Sequence, residues 1–223
     1  MRLNRYIALC SSLSRRAADA AIEDGRVTVD GTIAVKGTDI QDTSRVKLDG
    51  QILYLPPTTT TILFHKPVGV VCSRNGQGSR TVFDCLPGQY QSLQSVGRLD
   101  KDSSGLLLLT NDGMLANSLT HPSYMKAKRY EITLDKLLQP LHQQMIADHG
   151  IQLADGKSRL MVSRLEPSTD QPAYEVVMSE GRNRQIRRTF ASLGYTVTSL
   201  HRTTFGRFDL GDLPPSNYRV IDP

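Results

Sequence analysis

Asp100 closes the stretch Gly97-Arg98-Leu99-Asp100, and Lys101, Asp102, a Ser103-Ser104-Gly105 turn and the apolar run Leu106–Leu109 follow it. A carboxylate there stands at a strand end, beside glycine backbone that can approach a ligand closely. Taken alone, it reads as a reactive group or as a turn aspartate bonded to its own backbone, and the second is the commoner fate. Asp102, two residues on, could share a strand face with it and form the paired carboxylates of a nucleoside or glycoside hydrolase. Arg182, Arg184, Arg187 and Arg188 crowd the segment SEGRNRQIRRTFASLGY (179–195), with Glu180 as acidic neighbour. Such a patch suits an anion. Near the N-terminus stand Arg2, Arg5, Arg15, Arg16 and Arg26. Arg15 and Arg16 open a predicted helix, where backbone N–H groups favour phosphate. Asp19, Glu23 and Asp24 make a solvated, charge-balanced helix face an equally good reading.

Composition narrows the chemistry. The formal net charge of +5 favours an anionic partner without identifying one. Cys10, Cys72 and Cys85 are odd in number and form no CxxC pair, which argues against a disulfide framework or a zinc site and for a reducing, cytoplasmic setting. GRNRQIRR lacks the spacing of a nucleotide triphosphate loop. Arg15 and Arg16 interrupt the N-terminal apolar run, so no signal peptide is expected, and no apolar run reaches membrane-spanning length.

These residues need a frame. Residues 4–10 and 14–24 read as two helices, the second capped by Ser14 and stopped by Gly25. RVTVDG and RVKLDG read as strands turning at Asp30-Gly31 and Asp49-Gly50. Pro56-Pro57 and the threonines after them mark a boundary, so a first module over 1–57 and a second over 62–223 are expected. In the second, strands are predicted at 62–65, 69–73, 94–99, 105–110, 129–134, 159–165, 173–179 and 195–201. Helices are predicted at 114–120, 140–148 and 184–193. Many strands with few intervening helices point to an α+β domain on a mixed, mainly antiparallel sheet.

The N-terminal phrases RLNRYIA and SRRAADAAIEDGRVTVDG resemble the S4 RNA-binding module. GRLDKDSSGLLLLTNDG (97–113) resembles the signature of the RsuA/RluB-type ribosomal RNA pseudouridine synthases. KAKRYEITL (126–134), GRNRQIRR (181–188), TSLHR (198–202) and FHKPVGVVCS (64–73) match further motifs of that family. Ser103, Thr189 and His65 depart from its usual Thr, apolar residue and Asn. The resemblance implies Asp100 as catalytic carboxylate, Tyr130 as the ring on which the base stacks and Arg187 as the catalytic basic group. It implies Leu200 lining the uracil pocket and Arg98 filling the space that a flipped base leaves. From the residues alone Tyr130 and Leu200 are equally well core side chains, and His201 reads as structural or RNA-contacting.

The implied reaction turns uridine into pseudouridine with no metal and no cofactor. The expected partner is ribosomal RNA or a ribosome assembly intermediate, met by a monomer, with Arg182 and Arg184 joining the substrate site. Burial disfavours a charged carboxylate, so an Asp100–Arg187 ion pair is expected. A ribosome-associated RNA-binding protein without activity, and the hydrolase above, are the competing readings.

Overall fold

The computed structural model describes residues 1–11, 13–55, 58–165 and 171–222. The Pro56-Pro57 boundary residues lie outside them. The chain divides into two compact units, Met1–Thr59 and Thr60–Pro223.

In the first unit, α1 (Leu3–Cys10) and α2 (Arg15–Glu23) precede four short strands, β1 (Val27–Val29), β2 (Thr32–Ile33), β3 (Val46–Leu48) and β4 (Gln51–Ile52). Ser14 caps α2 by accepting from the Ala17 backbone N–H at 3.1 Å. The strands form a sheet in the order β2-β1-β3-β4. Both hairpins turn on Asp-Gly pairs with positive φ, 51° and 86° at Asp30-Gly31 and 51° and 79° at Asp49-Gly50. Those signs belong to the turn whose twist matches its strands. Leu3, Ile7, Ala18, Ile22, Val27 and Val46 are buried between the helices and the sheet.

The second unit runs β5 (Thr61–Lys66), β6 (Gln94–Val96), β7 (Ser104–Thr110), α3 (Gly113–Thr120), β8 (Lys128–Leu134), α4 (Pro140–Gln144), β9 (Ile151–Leu153) and β10 (Gly156–Ser158). It continues with β11 (Met161–Arg164), β12 (Ala173–Met178), α5 (Gln185–Ala191), β13 (Val197–Phe205), β14 (Phe208–Asp209) and β15 (Tyr218–Ile221). The main sheet has the order β11-β12-β8-β13-β7-β5-β15, with β14 beside β13 and β6 beside β7. Neighbours are antiparallel except β7 and β13, which run parallel. The fold is thus a mixed, mainly antiparallel sheet with few helices.

Leu106–Leu109 is a continuous apolar run because β7 is central and covered on both faces. Leu107 and Leu109 pack with Ile62 and Phe64, while Leu106 and Leu108 pack with Leu63 and Val96. Three expectations change. The 69–73 strand reduces to one bridge, Val71 with Thr81, after Gly69 turns at φ 88°. β6 stops at Val96 because Gly97 takes φ 72°. The helix expected over 140–148 is α4 followed by a π-helical turn, Met145–His149.

Candidate active site

The Asp100 turn is held from beneath. Lys66, at the end of β5, is 0% exposed, and its Nζ donates to the carbonyls of Pro67, Asp100 and Ser103 at 3.0, 3.0 and 2.7 Å. Burial pushes the Lys66 pKa down, and the three carbonyls offset the cost of hiding its charge. With its ammonium turned inward onto these carbonyls, Lys66 serves the turn as a support. Gly105 completes the support at φ 106°: a Cβ on it would lie 2.3 Å from the Arg202 carbonyl oxygen. The close approach anticipated there is to the backbone of β13, not to a ligand.

Above this turn lies a cleft of about 660 Å³. The structure brings Asp100, Tyr130, Arg187, Arg98, Leu200, Arg182 and Arg184 to its walls. Tyr130 and Leu200 are nearly buried and come from adjacent strands, β8 and β13. Arg98 is exposed at the β6–β7 turn.

The pairing of charges differs from the expected one. The guanidinium within 4 Å of the Asp100 carboxylate is that of Arg184, at 3.5 Å. Arg184 grips Asp102 more tightly, through two hydrogen bonds of 3.0 and 2.9 Å. Arg187 also turns to Asp102: its Nε lies 3.3 Å from that carboxylate, its Nη2 donates to the Asp102 carbonyl, and its Nη1 to Val197 O. The reason is the backbone. Arg184 caps α5 in the left-handed region, φ 46° and ψ 33°, which throws its side chain over the acidic turn. Arg187 lies a turn into the helix. Arg184's hydrogen bonds hold the Asp102 carboxyl below its ordinary pKa, and the Arg187 charge adds to this. Asp102 is thereby clamped, which removes it as the second carboxylate of a hydrolase.

The positive patch at 182–188 is also compensated. Arg188 bonds both oxygens of Asp155, and Arg182 bonds Asp155 and Glu180. Asp155 comes from the β9–β10 turn, too far along the chain for neighbour counting to include it. His201 sits half-buried, with its Nδ1 2.9 Å from Ser104 Oγ.

Sequence reasoning passed over Lys128 and Arg202, which also line the cleft. The signal was alternation. Lys128 stands two residues before Tyr130, and Arg202 two after Leu200, so each shares its partner's face of the sheet.

In the first unit, Arg26 is paired with Asp49 through bonds of 2.8 and 2.6 Å, and Arg2 lies 3.4 Å from Asp39. Arg5, Arg15 and Arg16 have no ion-pair partner among the described residues, and Arg15 donates to the Asn4 amide oxygen at 3.5 Å.

Residues 60–192, more than half of the chain, match the family model for RNA pseudouridylate synthases. The chain belongs to the RNA pseudouridylate synthase family. It is 36% identical over 232 residues to ribosomal large subunit pseudouridine synthase B of Vibrio cholerae, covering 99% of this chain and 71% of that protein. The protein of that name from Xanthomonas campestris is 33% identical over 94% of this chain, which spans 44% of its length. A solved structure of a pseudouridylate synthase superposes with a TM-score of 0.71 at 30% identity, covering 100% of this chain and 96% of that one. The turn at Asp100 and the ring of Tyr130 both face this cleft.

Proposed function

We propose that this pseudouridine synthase isomerises a uridine of ribosomal RNA, with Asp100 as catalytic carboxylate and the first unit as an S4-like RNA-binding module. The observation that carries the reading is the shared cleft of Asp100, Tyr130 and Leu200. Arg184 spends its strong bonds on Asp102, which leaves Asp100 in a looser 3.5 Å contact from which a substrate can draw it. The large-subunit names of the relatives favour large-subunit RNA as substrate.

The target uridine leaves its stack, at a cost of a few kcal/mol, and its base lies between Tyr130 and Leu200. Stacking on the tyrosine returns roughly 1–3 kcal/mol. Asp100 either attacks the ribose C1′, forming an ester bond that breaks when C5 takes its place, or removes the ribose C2′ proton to give a glycal and returns that proton to C2′ as C5 bonds to C1′. In both routes the C1′–N1 bond breaks, the uracil turns, and a C1′–C5 bond forms. C5 then gives up its proton and N1 regains one, so the product is an isomer. Nothing is oxidised and no water is consumed, which is why the reaction calls for no cofactor. Three free cysteines accord with a reducing, cytoplasmic setting.

The test uses large-subunit RNA transcribed with 5-tritiated uridine. The wild-type protein releases tritium to water and leaves the base attached, while Asp100→Asn binds the RNA and releases none. Liberation of free uracil would instead mark a hydrolase, and tritium release by Asp100→Asn would remove Asp100 from the chemistry.

A further inference from the structure

The two walls of the cleft differ in how their charge is balanced. On the α5 side every arginine meets an acid: Arg184 and Arg187 meet Asp102, and Arg182 and Arg188 meet Asp155. On the sheet side, Arg202 and Lys128 have no carboxylate within 4 Å among the described residues. Arg202 is 2% exposed; its Nε donates to Leu106 O at 2.8 Å, and its Nη2 has no acceptor. Lys128 Nζ donates to the carbonyls of Glu180 and Lys126, at 3.2 and 3.4 Å. The Glu180 carboxylate itself is engaged by Arg182 and Gln185.

Both cations lean on the same ring. The Arg202 guanidinium carbon lies 5.0 Å and Lys128 Nζ 5.2 Å from the centroid of Phe205. Arg202 and Tyr130 are paired residues of β13 and β8, and Lys128 is two places along β8 on the same face. Two like charges so placed, one fully desolvated and with donors unspent, are unfavourable without an anion. Burial, and then the charge of Arg202, depress the Lys128 pKa, in keeping with that frustration.

We propose that Arg202 and Lys128 form a phosphate subsite that takes one backbone phosphodiester flanking the uridine seated on Tyr130. This rests on the isomerase reading above. Its physical content is preorganisation. The donors stand in place at one edge of the base platform, so a bound phosphate fixes how far the nucleotide enters the cleft. The compensated arginines of the opposite wall position the acidic turn and contribute less to grip.

The experiment uses the full chain and the tritiated large-subunit RNA, with binding measured over a range of salt. Lys128→Gln should lower affinity about tenfold, the scale of one charge-assisted hydrogen bond. It should also make the slope of log affinity against log salt shallower by about 0.7, the value for one single-strand phosphate contact. Lys128→Arg should restore the slope. A second measurement needs no variant: a short RNA carrying the modified uridine is made with a neutral methylphosphonate on its 5′ or its 3′ side. One of these linkages should weaken wild-type binding about tenfold and have little further effect on Lys128→Gln. An unchanged salt slope in Lys128→Gln, or wild-type indifference to both neutral linkages, overturns the subsite while tritium release leaves the isomerase intact. Absence of tritium release overturns the isomerase reading, and the subsite with it.

Discussion

Arg184 and Arg187 meet the same acidic turn, yet their removal should read differently. The Arg184 side chain is 43% exposed and that of Arg187 13%. Exposed ion pairs contribute about 0–1 kcal/mol to stability, so Arg184→Ala should leave the melting temperature nearly unchanged. Its loss should fall on kcat, by about tenfold or more, because the group nearest Asp100 is gone. Arg187→Ala removes a largely buried side chain and the donor to the part-buried Val197 carbonyl, at about 1–3 kcal/mol for that acceptor, and should lower both melting temperature and kcat. Equal thermal losses in the two variants would contradict this division. Asp102 supplies a test by pH. Its folded pKa is depressed, first by Arg184's hydrogen bonds, so its contribution is complete above the unfolded carboxylate value and disappears as pH falls through the lower folded one. The wild-type thermal advantage over Asp102→Asn should therefore be constant from about pH 5 to 8 and vanish only below about pH 4. A midpoint near neutrality in melting curves across that range would mean that another group carries the effect.

Among the elements, the β7–β13 crossing positions the most chemistry. There Gly105 touches the backbone of Arg202, two residues past Leu200. Gly105→Ala adds a Cβ where φ is 106° and the Arg202 carbonyl is 2.3 Å away. The strands must part, at about 1–3 kcal/mol for the strained backbone alone, and melting should fall by about 5 °C or more. Activity should fall with it, because Leu200 and Arg202 shift together; a soluble, fully active Gly105→Ala protein would show that the crossing tolerates displacement. The strands that make this crossing were readable from residue types. Leu106–Leu109 and the alternation around Tyr130 announce themselves, and β5, β7, β8 and β12 lie where those patterns put them. β9 and β10 are three residues each and carry no such pattern, so the turn that brings Asp155 to the arginines was invisible. The ion-pair partners were illegible for a related reason. Which arginine reaches Asp100 depends on a left-handed backbone at Arg184, and that depends on tertiary contacts 82 residues away in sequence. The motif carried Asp100 and Tyr130, while the balance of charge around them needed the fold.

At the scale of the whole chain, a net charge of +5 understates how unevenly positive charge is available. Most arginines near the cleft are spent on Asp102 and Asp155, and Arg2 and Arg26 are paired in the first unit. Arg5, Arg15 and Arg16 are the arginines of that unit's candidate set left without an ionic partner among the described residues; Arg15 donates to Asn4, so on the RNA-binding proposal Arg5 and Arg16 are where a phosphate gains most. Arg5→Gln and Arg16→Gln should each weaken binding of large-subunit RNA and reduce the salt slope by about 0.7, and the double variant should lose about twice that. Arg26→Gln should change the slope little, because Asp49 already neutralises Arg26. Filter binding across a salt series separates these cases. If Arg26→Gln reduces the slope as much as Arg16→Gln does, pairing within the first unit does not decide which arginines hold RNA, and the grip follows surface position alone.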